Sequence, residues 1–126
     1  MSNVIEILAV DDDPRINRIL SRLLLDEGFT VQTQSNVAAA ISAMKVSHFS
    51  LLILDVMMPG ETGFELAKRL RSGELGPHYA TVPIVFLTAE KDEASYEVSF
   101  DVGAHAYLTK PFAIEDLLAT INGVMV

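Results

Sequence analysis

The sequence contains no cysteine and no tryptophan. A disulfide framework, a thiolate zinc site and an iron–sulfur cluster are therefore excluded, and folding needs no oxidising compartment. Positive charge is scarce: 9 lysines and arginines stand against 17 aspartates and glutamates, for a net charge of −8. A field of that sign repels phosphate backbones and argues against direct nucleic-acid contact. No apolar run is long enough to span a bilayer, and the start Met1-Ser2-Asn3 lacks the basic flank and apolar region of a secretory signal. The expectation is a soluble cytoplasmic protein with no membrane contact. What remains is 126 residues, half of them hydrophobic, which suffices for one packed core and leaves no room for a second. We expect a single domain over residues 1–126, with no output domain within it.

Short apolar runs alternate with segments of helical period, and the alternation repeats five times. The runs are Ile5–Val10, Thr30–Gln34, Leu51–Leu54, Val82–Leu87 and Ala106–Thr109. Three are almost continuously apolar, as strands covered on both faces of a parallel sheet must be. The first helix begins at Asp13-Pro14, an N-cap followed by proline at the first helical position, and stops at Gly28. The others are expected over Val37–Val46, Gly63–Arg71, Glu93–Val102 and from Ile114 to about Gly123. Five β-α units with right-handed crossovers give an α/β, doubly wound parallel sheet in a three-layer, flavodoxin-like sandwich, strand order 2-1-3-4-5.

In such a sheet ligands sit at the carboxyl ends of the strands, where the strand order reverses. The first strand is followed by Asp11-Asp12-Asp13, the third by Asp55, the fourth by Thr88 and the fifth by Lys110-Pro111. The second ends in Gln34-Ser35-Asn36, with nothing chemically pointed. Asp11, Asp12 and Asp55 converge on one rim, where three carboxylates need a countercharge. Oxygen ligands without a nearby histidine or cysteine suit Mg²⁺, with Mn²⁺ as the alternative. A divalent cation, a lysine and a hydroxyl around a carboxylate are the parts that stabilise a transferring phosphoryl group, with Asp55 as nucleophile.

The segments Ile7–Pro14, Leu51–Gly60, Phe86–Ala89 and Tyr107–Phe112 together resemble the receiver domain of bacterial two-component response regulators, of the chemotaxis-regulator type. The resemblance spans essentially the whole chain, with five elements in order. It implies a phosphorylatable switch that takes a phosphoryl group on Asp55 from a sensor histidine kinase or a histidine phosphotransfer protein. It implies no enzyme beyond slow self-catalysed phosphorylation and dephosphorylation. Asp12 would ligate Mg²⁺ directly, Asp11 mainly through water, and the Met57 carbonyl would complete the protein ligands beside Asp55. Thr88 and Lys110 would bind phosphoryl oxygens, Tyr107 would swing inward as Thr88 moves, and the Lys110-Pro111 bond would be cis. The output would be a downstream protein or a linked effector domain, and the domain a monomer or a phosphorylation-dependent dimer.

Taken singly, most of these residues have plainer roles. Asp13 reads as an N-cap, and Asp11-Asp12 alone as an acidic turn. Gly60 and Gly63 read as a turn and a helix start, Met57 and Met58 as packing and loop residues with Met57 overhanging the pocket. His48, His78 and His105 lack ligand-like spacing and read as loop histidines. Arg15, Arg18 and Arg22 form a basic stripe on the first helix and are the candidate kinase contact; Glu93, Glu97 and Asp101 form an acidic stripe on the fourth. His105-Ala106 before Tyr107, and Thr120 in the last helix, depart from the charged pattern by which many transcription-factor receivers dimerise. The segment Ser72–Thr81 reads as a long loop without a chemical constellation. The apolar end Gly123–Val126 either packs down or continues into a longer protein.

Two other functional classes compete for these residues. A phosphohydrolase resembling the haloacid dehalogenases would use Asp11 and Asp13 as nucleophile and general acid, but it leaves Asp55 idle and finds only Glu115 and Asp116 after the lysine. A flavodoxin-like flavin carrier would place a phosphate on Asp11-Asp12-Asp13, whose charge repels it.

Overall fold

Alternation of side chains along each strand assigns the two faces of the sheet. In the computed structural model, which describes residues 5–89 and 101–125, Leu8, Val10, Leu52, Leu54, Ile84 and Phe86 face one layer, and Ile7, Ala9, Leu51, Ile53, Val85 and Leu87 face the other. Strands with large apolar residues on both faces cannot tolerate water on either side, so helices cover both. The strands are β1 (Glu6–Val10), β2 (Thr30–Gln34), β3 (Leu51–Asp55), β4 (Ile84–Thr88) and β5 (Ala106–Thr109), all parallel, in the order β2-β1-β3-β4-β5. Helices α1 (Pro14–Asp26), α2 (Val37–Val46), α3 (Gly63–Arg71), α4 (Pro77–Thr81) and α5 (Ile114–Val124) connect or follow them.

The core divides accordingly. Leu20 and Leu24 of α1 and Leu117 and Ile121 of α5 pack on one face. Val37, Ala40 and Met44 of α2 and Leu66 and Leu70 of α3 pack on the other. Each of these valine, leucine, isoleucine and methionine side chains, withdrawn from water, contributes about 1.5–3 kcal/mol of hydrophobic free energy. Val124 and Met125 pack against the first of these layers, so the apolar end of α5 is folded down.

The starts of α1, α2 and α3 follow side-chain capping signals. Asp13 accepts from Arg15 N at 2.9 Å, Asn36 from Ala39 N at 2.8 Å, and Thr62 with Glu65 forms a reciprocal capping box. Three expectations need correction. The fourth strand starts at Ile84 instead of Val82 and includes Thr88, because Pro83 lacks a ladder N–H and serves only to lead the strand in. Ser72–Thr81 is not all loop: it contains α4, with Pro77 at its first position. His78 is not a loop residue but lies in α4, and its ring stacks on that of His48, which does lie in a loop, with centroids 3.6 Å apart. The expected helix Glu93–Val102, with Glu93 and Glu97 of the acidic stripe, lies outside the described residues except for exposed Asp101 and buried Val102. Among the described residues no helix is long and apolar enough to cross a membrane.

Candidate phosphoryl-acceptor site

β1 and β3 are direct neighbours and α1 and α3 leave them on opposite faces, so a crevice opens where the two strands end. Asp11, just beyond β1, and Asp55, the last residue of β3, are both buried, while Asp12 is exposed. One carboxylate oxygen from each of the three lies within 4.8 Å of the others. That spacing fits ligands around a hexacoordinate Mg²⁺ after small side-chain adjustments. Such an ion would supply positive charge against the phosphoryl oxygens.

Asp11 is held on every side. Its Oδ1 accepts from Asp13 N at 2.9 Å and its Oδ2 from Lys110 Nζ at 2.6 Å. Its backbone N–H donates to Gln34 O at 3.1 Å, and its carbonyl accepts from Asn17 Nδ2 at 2.8 Å. Asp13 turns away from this crevice: its side chain caps α1 and pairs with Arg15.

Lys110 Nζ also stands 3.4 Å from Asp55 Oδ1. The ammonium thus bridges the two buried carboxylates. Burial works against its charge, yet the hydrogen bond to Asp11 and the charges of Asp55 and Asp11 outweigh this and raise its pKa. Asp55 responds in the opposite sense. Burial and then the Asp11 charge push its pKa up to about 6, against the opposing pull of Lys110. At neutral pH Asp55 is mostly ionised and poorly solvated, a suitable state for a nucleophile.

Thr88 is fully buried at the end of β4, opposite Thr109, and its carbonyl accepts from Lys110 N at 2.7 Å. Tyr107 pairs with Phe86 and packs, half-buried, on the α2–α3 side. Since Thr88 lies two residues beyond Phe86, alternation directs Thr88 and Tyr107 to the same face. The Lys110–Pro111 peptide is cis. Met57 is 56% exposed and Met58 buried.

Two site residues escape sequence reasoning. A Cβ on Gly63 would lie 2.3 Å from the Asp55 carbonyl oxygen, so the start of α3 touches the Asp55 backbone and only glycine fits. Asn17, which belongs to no motif in the sequence, is buried and joins Asp11 O to Gln34 O. Neither contact has a local sequence signal. The arginine stripe divides: Arg15 pairs with Asp13, whereas Arg18 and Arg22 line a groove beside β2.

The doubly wound sheet thus carries acidic residues, a lysine and a buried hydroxyl together at its carboxyl rim. Residues 7–122 match the family model described as response regulator receiver domain, and the chain belongs to that family. It is 41% identical over 119 residues to the transcriptional regulatory protein GltR of Pseudomonas aeruginosa, covering 94% of this chain and 48% of that protein. It is 37% identical to the transcriptional regulatory protein YkoG of Bacillus subtilis, covering 94% and 50%. The chain therefore spans about half the length of these relatives. Among solved structures, the chemotaxis protein CheY4 of Vibrio cholerae superposes with a TM-score of 0.89 at 36% identity, over 96% of this chain and 98% of that one. A two-component response regulator from Clostridium difficile gives 0.88 at 25% identity, over 96% and 95%.

Proposed function

We propose that this domain is a switch phosphorylated on Asp55 by a sensor histidine kinase or a histidine phosphotransfer protein. The observation that carries this is the Lys110 ammonium set between Asp11 and Asp55, at 2.6 and 3.4 Å, in a crevice of three carboxylates. An Asp55 oxygen attacks phosphorus, the phosphorus–nitrogen bond to the donor imidazole breaks, and the imidazole takes up a proton. Asp12, exposed and free to reorient, would ligate Mg²⁺ directly beside Asp55 and the Met57 carbonyl. Asp11, whose two oxygens are already engaged, would act mainly through water. Lys110 and Thr88 would hold phosphoryl oxygens.

The phosphoryl group would attract Thr88, and Tyr107 on the same face would follow it inward, shifting a pre-existing equilibrium between two states. The donor's helical bundle would dock on the crest of α1, where Arg15, Arg18 and Arg22 accompany Ile19, which is 47% exposed. The output would be a downstream protein or a linked effector region, in a cytoplasmic monomer or phosphorylation-dependent dimer. The dehalogenase-like alternative loses its support because Asp13 is spent on capping α1 and pairing with Arg15.

Incubation with acetyl phosphate and Mg²⁺, followed by intact mass measurement, tests the assignment. The wild type gains one phosphoryl group and Asp55→Asn gains none. Undiminished labelling of Asp55→Asn, or steady turnover of a phosphate ester, would overturn it.

A further inference from the structure

Among the described residues β2 closes one end of the sheet and pairs only with β1. Thr30 N donates to Ile5 O at 3.0 Å, and Asp11 N donates to Gln34 O at 3.1 Å. Thr30, Gln32 and Gln34 therefore turn their backbone groups toward β1, and in a parallel ladder the alternate residues turn away. The N–H and C=O groups of Val31 and Thr33 lie on the open edge. An edge of this kind is a template for another strand.

Beside this edge runs a groove of about 770 Å³ whose lining includes Arg18, Ser21, Arg22 and Leu25 of α1 and Thr33 and Ser35 from the β2 side. Leu25 is 62% exposed. Arg18 and Arg22 enter no ion pair or hydrogen bond among the described residues. Two guanidinium groups without a partner among the described residues stand out on a chain of net charge −8. Asn17 also lines the groove, and its Oδ1 is a buried acceptor with no partner among the described residues.

The spacing selects the occupant. Residues four apart on a helix have Cβ atoms about 5–6 Å apart. Alternate residues of a strand stand on one face about 6.6 Å apart. A strand laid beside β2 can therefore present two acidic side chains, at alternate positions, to Arg18 and Arg22 while its backbone bonds to Val31 and Thr33. A second copy of β2 does not fit this requirement, since Thr30-Val31-Gln32-Thr33-Gln34 carries no carboxylate. Asp26 lines the groove as well, one turn beyond Arg22, which confines the acidic complement to the Arg18–Arg22 stretch.

The geometry points to the β2 edge as the docking site for an extended acidic segment of another protein, added as a sixth strand with carboxylates at alternate positions against Arg18 and Arg22. This site shares Arg18 and Arg22 with the crest of α1 but adds the open backbone edge of β2, and it does not depend on phosphorylation of Asp55.

The test is an amide and arginine-side-chain NMR titration of the full chain with a capped heptapeptide alternating glutamate and threonine. Saturable shifts are expected at the Val31 and Thr33 amides and at the Arg18 and Arg22 guanidinium groups. The Arg18→Gln/Arg22→Gln double variant should bind about tenfold more weakly or worse, as loss of charge-assisted hydrogen bonds requires. A peptide with glutamine in place of glutamate should lose a similar factor, and Arg15→Gln should bind as the wild type does. Equal affinity for the glutamine peptide, shifts confined to α1 or the Asp55 crevice with none at the Val31 and Thr33 amides, absence of saturable shifts, or a β2-mediated dimer of this chain would each overturn the proposal.

Discussion

At the amino end of the sheet, Tyr79 donates its hydroxyl hydrogen to Ser47 O at 2.7 Å and accepts from the buried Phe49 N–H at 3.1 Å. His78 Nε2 meets Phe49 O at 2.6 Å. Arg71 donates to the carbonyls of Val82 and Gly103, each at 2.8 Å. Neutral backbone groups are satisfied there by side chains from α3 and α4, so the loops entering β3, β4 and β5 are tied together. At the carboxyl end, Asp11 and Asp55 share the single ammonium of Lys110, and burial raises the Asp55 pKa to about 6. The same β-α framework thus closes one end with matched hydrogen bonds and leaves excess negative charge at the other. The two arrangements are separated by the length of a five-residue strand.

Substitutions at the two ends should separate stability from reactivity. The largest effect is expected for Gly63→Ala, because its Cβ would be forced to 2.3 Å from the Asp55 carbonyl oxygen. Backbone must move to relieve that contact, at a cost of about 3 kcal/mol. Denaturant unfolding should show the loss, and acetyl phosphate labelling should slow as Asp55 is displaced. Tyr79→Phe should cost about 1–3 kcal/mol by leaving the buried Phe49 N–H unpaired, with labelling kinetics unchanged. Slower labelling in Tyr79→Phe would show that the ends are coupled. Asn36→Ala removes the cap of α2, whose Oδ1 accepts from Ala39 N at 2.8 Å. It should cost about 1 kcal/mol, read as a lower unfolding midpoint at unchanged labelling.

Much of this architecture is legible in the sequence because its signals are local. Asp13-Pro14 and Gly28 bracket α1, alternation marks the strands, and the topology of a doubly wound sheet then brings Asp11, Asp55, Thr88 and Lys110 to one rim. The rest depends on contacts between distant segments. His48 and His78 stack across thirty positions, and Asn17 reaches Gln34 O seventeen residues away. Gly63 reads as a helix start until its clearance from Asp55 O is known. α4 is missed because Gly76-Pro77 punctuates like a loop and five residues are too few to show a helical period.

The stored charge at the carboxyl end has a definite pH signature. The Asp55 carboxyl holds its proton to a higher pH in the folded chain than in the unfolded one, where its ordinary value is 3.8. Its contribution to stability is therefore full below about pH 4 and lost as the pH rises through about 6. Urea unfolding of wild type and Asp55→Asn at pH 7.5, with chelator and then with Mg²⁺, measures this directly. The prediction is that Asp55→Asn is the more stable with chelator, by up to about 3 kcal/mol, and that Mg²⁺ stabilises the wild type more than the variant. An Asp55→Asn protein no more stable than wild type in chelator would contradict the claim that the site holds unfavourable charge in readiness for a cation and a phosphoryl group.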